Sequence, residues 1–234
     1  MCSDDAKRAA GYAAADRFVT SNMRVGMGTG STAVWALRRI GERLAAGEIS
    51  NVVGVATSSQ AELECNQAGI PLRSMNDPEI DGVLDVTIDG ADEIDPDRRL
   101  IKGGGGALLM EKIVAYASKR FVVVACESKL VDHLGTGFPL PVEVLPFARM
   151  PVLKALEKLG ARAEVRRAER KMGAVITDNG NIIVDVTFAE PIDPVEMETE
   201  LVRIPGVLGN GLFTRVDPLV LVGREDGSVT TLGG

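Results

Sequence analysis

Short apolar runs alternate with helical segments through the first half of this 234-residue chain. The apolar runs predict buried strands at residues 23–27, 52–56, 83–88 and 121–125. Helical patterns fall near residues 3–19, 33–46, 58–68 and 107–118. This alternation predicts an α/β domain with a Rossmann-like, mostly parallel sheet that carries helices on both faces. Ligands of such sheets bind beyond the carboxyl ends of the strands, so the segments that follow each strand are the candidates for chemistry.

The pattern changes after Phe138-Pro-Leu-Pro141. Strands are predicted at 142–146, 162–167 and 207–214, helices near 149–159 and 194–202, and a hairpin at Asp178-Asn-Gly180 between 174–177 and 182–186. Two strand–helix–strand units joined by a hairpin indicate a smaller α+β domain of the ferredoxin-like type. Residues 219–222 are expected to return to the first sheet or end beside it. The predicted division is therefore 1–137 plus 215–234 for the α/β domain and 138–214 for the α+β domain.

Composition argues against several classes of partner. The formal net charge of −7 and the aromatic content of 4% disfavour nucleic acid, which needs basic surface and stacking platforms. No run of about 18 apolar residues exists to cross a bilayer, so we expect no membrane partner. The one basic cluster, at residues 166–171, is interpreted as a solvated connection.

The number and spacing of the cysteines and the single histidine argue against several kinds of site. Cys2, Cys65 and Cys126 are odd in number and lack metal-ligand spacing, which predicts neither a disulfide framework nor a zinc site. A reducing cytoplasm fits this usage. His133 is the only histidine, which removes most zinc-hydrolase and Ser-His-Asp schemes.

The first predicted strand runs into Gly26-Met-Gly-Thr-Gly-Ser-Thr32. A strand, a glycine turn and a helix start present backbone N–H groups and the positive end of the helix dipole to an anion. A dinucleotide fingerprint would need a glycine where Ser31 stands, and the lysine of a Walker loop is missing. The segment predicts an anion site, with a plain strand-to-helix turn capped by Ser31 or Thr32 as the alternative.

Four carboxylates occur in Asp89-Gly-Ala-Asp-Glu-Ile-Asp95, after the third strand. They are suited to bind a divalent metal, to hydrogen-bond sugar hydroxyls or to transfer protons, although EF-hand spacing is missing. Gly90 and Ala91 keep the turn small, so Asp89 and Asp92 are both able to face a pocket. A solvated acidic turn is the alternative.

A third segment, Lys102-Gly-Gly-Gly-Gly106, precedes the fourth predicted helix. Four glycines in succession are costly to order, so in a folded domain they indicate close approach of bare backbone to a ligand. Glu111 lies one helical turn past Ala107, and Lys129 follows the fourth strand. A cation, bare backbone and a potential base predict chemistry on a small oxygen-rich substrate. Solvated surface charges are the alternative for Lys102, Glu111 and Lys129.

Taken together, these segments resemble the ribose-5-phosphate isomerases of the A type. The resemblance rests on Gly28-Thr-Gly-Ser-Thr-Ala33, Asp89-Gly-Ala-Asp-Glu93, Lys102-Gly-Gly-Gly-Gly-Ala-Leu108 with Glu111-Lys112, and Ser128-Lys129. It extends through Phe138-Pro-Leu-Pro-Val-Glu-Val144, Thr177-Asp-Asn-Gly-Asn181, Ile204-Pro-Gly-Val207 and Gly211-Leu-Phe213. Two positions depart from the family's usual pattern: Met110 stands where arginine is usual, and Cys126 where aspartate is frequent.

The resemblance implies a cofactor-free aldose–ketose isomerase that interconverts D-ribose 5-phosphate and D-ribulose 5-phosphate in the non-oxidative pentose phosphate pathway, usually as a homodimer or homotetramer. Glu111 matches the general base of the family. The positions that match substrate-contacting segments are Thr29, Gly30, Ser31, Thr32, Asp89, Gly90, Ala91, Asp92, Lys102, Gly103, Gly104, Gly105 and Lys129.

These residues suit proton transfer through an enediolate. Glu111 would move the proton between C2 and C1, while Lys102 and the N–H groups of residues 103–106 stabilise the enediolate oxygens. Asp89 would assist ring opening and Asp92 hold hydroxyls, or the reverse. The Thr29–Thr32 turn and Lys129 would anchor the phosphate. The scheme needs no metal.

Two other functions remain open on sequence. A non-catalytic sugar-phosphate sensor would have no need of Glu111, and no helix-turn-helix segment or basic face accompanies the domain. A nicotinamide-dependent oxidoreductase would need an acidic residue at the end of the second strand, where Thr57-Ser-Ser59 stands instead.

Overall fold

The computed structural model describes residues 2–169 and 172–233. Within this part of the chain the α-helices are α1 (Asp4–Phe18), α2 (Ala33–Ala45), α3 (Ser59–Gln67), α4 (Leu108–Tyr116), α5 (Arg149–Lys158) and α6 (Pro194–Val202). The strands are β1 (Arg24–Met27), β2 (Val53–Ala56), β3 (Val86–Asp89), β4 (Glu93–Ile94), β5 (Leu100–Ile101), β6 (Phe121–Cys126), β7 (Leu140–Val144), β8 (Ala161–Val165), β9 (Ile182–Phe188), β10 (Val207–Asn210), β11 (Leu212–Phe213), β12 (Leu219–Gly223) and β13 (Val229–Leu232). Short 3₁₀ helices cover Glu127–Lys129 and Pro146–Ala148.

The chain forms two compact units. The first comprises the described residues up to Ala91, then Met110–Leu130, then those from Val216 onward; the second comprises Asp92–Leu109 and Val131–Arg215. Helix α4 begins in the second unit and continues in the first. The division into an α/β domain, 1–137 plus 215–234, and an α+β domain, 138–214, stays a prediction.

The first unit is built on a six-stranded sheet with the order β13-β12-β6-β3-β1-β2. Every neighbouring pair is parallel except β12 with β13. Met27 lies opposite both Ile88 and Ala56, so β1, β2 and β3 end at nearly the same level. The predicted mostly parallel sheet is confirmed, and β12 returns to it as expected.

Small residues let the helices of this unit pack closely. Helix α1 is alanine-rich and buries Ala6, Ala10, Ala14 and Ala15. A Cβ added to Gly11 would lie 2.6 Å from Cβ of Trp35, so glycine is needed where α1 meets α2. The core beneath is aliphatic, as the low aromatic content predicts.

The second unit contains a four-stranded antiparallel sheet with the order β10-β7-β9-β8. In chain order its elements run β7–α5–β8–β9–α6–β10, which is the ferredoxin-like arrangement. Residues 174–177 form only isolated bridges, from Ala174 to Arg167 and from Ile176 to Ile182, so the first strand of the predicted hairpin is wrong.

A three-stranded sheet, β11-β5-β4, was not predicted at all. The predicted strand at 207–214 divides at Gly211 between this sheet and the larger one. Gly211 donates its N–H to the carbonyl of Pro141 and accepts the N–H of Lys102, at 2.7 and 2.9 Å. Because a Cβ there would lie 2.3 Å from the carbonyl oxygen of Lys102, glycine is required where the chain changes sheets.

The expectation of unpaired cysteines is wrong for two of the three. Cys2 and Cys126 form a disulfide across 124 positions of sequence, with their Cα atoms 6.1 Å apart. Cys2 precedes α1 and Cys126 ends β6, and α1 packs along β6. Sequence spacing cannot reveal a pairing that depends on this packing. Among the described residues, no helix is both long enough and apolar enough to cross a membrane.

Candidate active site

The turn after β1 is attached to the end of β3. The N–H of Thr29 donates to Oδ1 of Asp89 at 3.0 Å. A Cβ on Gly28 would lie 2.4 Å from the same oxygen, so only glycine allows this approach. The hydroxyl of Thr29 also lies 2.8 Å from that of Thr57 and 2.6 Å from that of Ser58. The turn is therefore fixed by neighbours on both sides before any ligand arrives.

The start of α2 faces the same edge of the sheet. Thr32 occupies the N-cap position, yet its side chain makes no capping hydrogen bond. Ser31 is exposed and Thr32 half-buried. Gly30 has a φ of +106°, a conformation that favours glycine, and its N–H donates to the side chain of Gln60 at 3.2 Å. Since neither hydroxyl caps the helix, the alternative of a plain capped turn loses its main support.

Asp89 is the last residue of β3 and is fully buried. Its Oδ1 accepts the N–H of Gly90 at 2.7 Å as well as that of Thr29. Gly90 and Ala91 are half-buried and complete this end of the unit. A carboxylate held by backbone donors has a fixed direction, which a proton-transfer group requires.

Glu111 lies on the first turn of α4 and only 5% of it is exposed. A hydrogen bond at the end of α4 fixes the direction of the helix relative to the sheet. The carbonyl of Ala117, just past α4, accepts the N–H of Leu84, just before β3. The helix thus runs toward the amino ends of the strands, and its first turn lies toward their carboxyl ends. Glu111 is therefore at the same edge of the first unit as Asp89, and a solvated surface glutamate is excluded.

Lys129 is also at this edge. It ends the 3₁₀ helix that follows β6, and it is half-buried. In the same short helix Glu127 pairs with Arg224 at 2.9 Å. The structure therefore brings together the Thr29 turn, Asp89, Glu111 and Lys129 at the carboxyl edge of one sheet.

The second unit holds the glycine run. The N–H of Gly104 donates to Oδ2 of Asp92 at 2.7 Å, and that of Gly106 donates to the carbonyl of Gly103 at 2.9 Å. Gly103 and Gly106 have φ values of +106° and +80°, and a Cβ on Gly104 would lie 2.7 Å from Oδ1 of Asp92. Three of the four glycines are thus required by the fold of the loop. The N–H groups of Gly104 and Gly106 are used within the loop, so those of Gly103 and Gly105 are the remaining candidates among the four predicted donors to a ligand.

Lys102 is almost fully buried, with 2% of it exposed. Its ammonium nitrogen lies 5.6 Å from the centroid of the Phe213 ring, within range of a cation–π interaction. This placement excludes the alternative of a solvated loop lysine.

The chain is similar to known proteins over most of its length. The model of the family "Ribose 5-phosphate isomerase A (phosphoriboisomerase A)" matches residues 53–227. The chain belongs to this family. The ribose-5-phosphate isomerase A of Thermosynechococcus vestitus is 51% identical over 226 residues, covering 95% of this chain and 94% of that protein.

Solved structures of the family give the same fold. The ribose 5-phosphate isomerase A of Methanocaldococcus jannaschii is 44% identical, with a TM-score of 0.91 over 98% of this chain and 99% of its own. A D-ribose-5-phosphate isomerase in complex with phospho-erythronic acid is also 44% identical, with a TM-score of 0.94 over 99% of both chains. The α/β fold class and the family predicted from the motifs are confirmed.

Within this isomerase fold, two of the four clustered carboxylates hold loops together. Glu93 is buried and accepts the N–H groups of Gly135 and Gly137 at 2.5 and 2.7 Å. Asp95 accepts the N–H and the Nε of Arg99 at 2.8 and 2.6 Å. The four carboxylates of the acidic segment therefore differ in role. Glu93 and Asp95 hold loops, whereas Asp89 and Asp92 accept N–H groups from the glycine-rich turns. Among residues 2–169 and 172–233, no group of three or more His, Cys, Asp or Glu side chains is placed to hold a metal ion.

Sequence reasoning missed Arg166, which it placed in a solvated connection. The side chain is only 15% exposed and forms an ion pair with Asp185. Its position follows the end of β8, and no spacing signal links it to the glycine run. Arg170 and Lys171, in the same predicted basic cluster, lie outside the described residues. Thr57 and Ser58 were also missed as partners of Thr29, although their place after β2 was visible.

Proposed function

We propose that this chain interconverts D-ribose 5-phosphate and D-ribulose 5-phosphate by proton transfer through an enediolate. The observation that carries the proposal is the burial of Glu111 on the first turn of α4, in a member of the ribose-5-phosphate isomerase A family. A 44% identical solved relative is in complex with phospho-erythronic acid, a phosphorylated sugar acid. A non-catalytic sensor would not need a buried glutamate at this edge.

Glu111 acts as the base in this scheme. The proton on C2 of an open-chain aldose phosphate is weakly acidic, so a positioned carboxylate removes it and returns it to C1. Such positioned acid–base catalysis contributes about 10²- to 10⁴-fold in rate. Burial keeps bulk water from competing for the proton, because only 5% of Glu111 is exposed.

Lys102 supplies a positive charge, and the glycine run supplies N–H donors, to stabilise the negative enediolate. Negative charge develops on the carbonyl oxygen as the proton leaves, and preorganised donors stabilise it without further rearrangement. We assign this role to the ammonium of Lys102 and to the N–H groups of Gly103 and Gly105.

Asp89 assists opening of the furanose ring, and Asp92 holds substrate hydroxyls. Asp89 is fixed by Thr29 and Gly90, so its carboxylate has a defined direction. Asp92 accepts the N–H of Gly104 through Oδ2, so we assign its other oxygen, Oδ1, to the substrate hydroxyls. An open-chain ligand separates the two roles. It needs no ring opening, so it bypasses the role of Asp89 but still requires Asp92 to hold its hydroxyls.

The Thr29–Thr32 turn and Lys129 anchor the phosphate. The start of α2 offers backbone N–H groups and its dipole, Thr32 offers a hydroxyl that does not cap the helix, and Ser31 adds an exposed hydroxyl. Binding energy from the phosphate orients the reacting carbons.

The wider setting of the protein is also a proposal. We propose a homodimer or homotetramer that works in the cytoplasm, without a nucleic-acid or membrane partner. The cytoplasm was predicted in part from unpaired cysteines, and the Cys2–Cys126 disulfide removes that support. The remaining support is the metabolic activity for which the family is named.

The test is direct conversion by the purified chain. Wild-type protein should produce ribulose 5-phosphate from ribose 5-phosphate. Glu111→Gln should lower kcat by about 10²- to 10⁴-fold. Glu157→Gln, an exposed glutamate on α5, is the matched control and should remain active. Tight binding of the sugar phosphate without conversion would instead support the sensor, and near-normal turnover of Glu111→Gln would remove Glu111 as the base.

A further inference from the structure

Arg166 lies in the second unit with its guanidinium fixed by Asp185. The Nε atom donates to Oδ2 of Asp185 at 2.8 Å, and Nη2 donates to Oδ1 at 2.5 Å. This two-point pairing locks the plane of the guanidinium. The backbone is fixed as well, since the N–H of Arg166 donates to the carbonyl of Ile183 and its carbonyl accepts the N–H of Val175, both at 2.9 Å.

The remaining nitrogen of Arg166 reaches the glycine run. Its Nη1 donates to the carbonyl of Gly103 at 2.9 Å and to the carbonyl of Gly104 at 3.0 Å. Two consecutive peptide carbonyls therefore point at one immobilised cation. The arginine side chain is only 15% exposed, although Gly104 itself lies at the surface.

These contacts fix the directions of two peptide planes. A trans peptide is planar, with its N–H directed opposite to its C=O. In the first plane the carbonyl of Gly103 meets Arg166 while the N–H of Gly104 meets Asp92, so the unit is held at both ends. In the second plane the carbonyl of Gly104 meets Arg166. The N–H of Gly105 must then point away from the guanidinium.

Glycine makes such a restraint necessary. A run without side chains has little intrinsic preference between peptide orientations, and ordering it costs more entropy than ordering any other residue. A flip of the Gly104–Gly105 peptide would turn its carbonyl toward the place where its N–H had pointed. It would also break a charge-assisted hydrogen bond to Arg166.

We propose that Arg166, held by Asp185, is a positioning residue that presets the N–H of Gly105 toward the negative charge of the enediolate. This inference rests on the proposed isomerase function. Arg166 touches the loop and not the reacting atoms, so its effect is on the geometry of a donor. Loss of the restraint weakens stabilisation of the enediolate more than binding of the substrate, because the carbonyl oxygen of the substrate carries no negative charge.

The experiment compares Arg166→Met, Arg166→Lys and Asp185→Asn with wild type. Arg162→Met is the matched control, because Arg162 lies on the adjoining β8, is 81% exposed and pairs with Glu164 at the surface. The kcat of Arg166→Met should fall about 10- to 100-fold, below the full effect of deleting an oxyanion donor, while KM changes little. The kcat values of Arg166→Lys and Asp185→Asn should lie between those of Arg166→Met and wild type. Lysine keeps the charge but lacks the planar fork that pairs with Asp185 at two points, and asparagine keeps the arginine but removes the carboxylate that fixes it. Arg162→Met should match wild type.

Inhibition by 4-phosphoerythronate separates positioning from loss of fold. Its negative carboxylate probes the charge-stabilising donors, so its inhibition constant should rise in Arg166→Met by more than KM does. Circular dichroism and thermal melting define the folded fraction, to which kcat is normalised. The inference is overturned if normalised kcat and the inhibition constant stay within about twofold of wild type in all three variants. A wild-type chain that does not isomerise ribose 5-phosphate would instead refute the proposed function itself.

Discussion

Asp89 holds Thr29 in place through a 3.0 Å hydrogen bond from the backbone N–H of Thr29 to Oδ1 of Asp89. The same oxygen accepts the N–H of Gly90 at 2.7 Å. The carboxylate thus joins the end of β3 to the turn after β1, in addition to the ring-opening role that we propose. Variants of Asp89 are needed that separate its structural role in holding the turn from its proposed chemical role.

Asp89→Asn and Asp89→Ala provide that separation. Asparagine retains a carbonyl oxygen that accepts both N–H groups but cannot transfer the proton, so kcat should fall while stability changes little. Alanine leaves two buried donors unsatisfied, which costs about 1–3 kcal/mol each in free energy of unfolding. Urea unfolding and steady-state kinetics measure the two effects. Equal stability of both variants would show that the hydrogen bonds to Asp89 do not hold the turn.

The fold was largely predictable because hydrophobic patterning is local. Periods of two and of three to four residues identify strands and helices without knowledge of their partners. The predictions failed where structure depends on distant contacts. β4, β5 and β11 are two residues long and stabilise one another, and the strand predicted at 207–214 divides because Gly211 contacts Pro141 and Lys102.

Lys129→Gln tests the predicted phosphate contact. If the ammonium pairs with the phosphate, KM for ribose 5-phosphate should rise about tenfold, equivalent to roughly 1.4 kcal/mol, with a smaller change in kcat. Added salt should narrow the difference between variant and wild type, since screening weakens the ammonium–phosphate pair, which only the wild type forms. Lys154→Gln, at an exposed position on α5, is the control. An unchanged KM at low salt would place the phosphate elsewhere.

Asp85 should make the stability of the fold depend on pH in the acid range. Its partial burial acts to raise the pKa, but hydrogen bonds from Arg24 and Lys119 outweigh this and lower the pKa well below its ordinary value. The distances are 2.9 Å from the N–H of Arg24 and 2.8 Å from the Nζ of Lys119. Because the folded pKa is depressed, the stabilisation is present above about pH 4 and is lost as pH falls toward the folded pKa.

The measurement is the free energy of unfolding between about pH 7 and pH 3. Wild type should lose stability over this interval more steeply than Asp85→Asn, which lacks the titrating group. At neutral pH the substitution should cost about 1–3 kcal/mol, as expected for hydrogen bonds to a charged group. Parallel curves for the two proteins would show that other carboxylates dominate acid unfolding.

The site was predictable as a set of segments but not as a set of contacts. Glycine turns and acids after strands indicated where chemistry belongs, and their order indicated the family. Nothing local indicated that Arg166 would support Gly103 and Gly104 across more than sixty positions, or that Asp92 would take the N–H of Gly104. Such contacts arise only when β8 and the glycine run are folded into one unit.

The disulfide between Cys2 and Cys126 should make stability depend on redox conditions. A cross-link that closes a long loop typically contributes about 2–4 kcal/mol, largely by restricting the unfolded chain. For a protein of this size each kcal/mol shifts the melting temperature by about 2–4 °C, so reduction should lower it by roughly 5–15 °C. Cys2→Ser should melt at the temperature of the reduced wild type and show no further response to reductant.

Alkylation followed by mass spectrometry identifies which cysteines become reactive when the disulfide is reduced. Burial, with a smaller effect of Glu64, raises the pKa of the Cys65 thiol to about 12, so its thiolate fraction near pH 8 is about 10⁻⁴. Before reduction the native protein should therefore label slowly at all three cysteines. Mild reductant should expose Cys2 and Cys126 to labelling, and Cys65 should react only after unfolding. Rapid labelling of Cys2 in the unreduced native protein would contradict the disulfide, because the same sulfur cannot be both bonded to Cys126 and available as a thiolate.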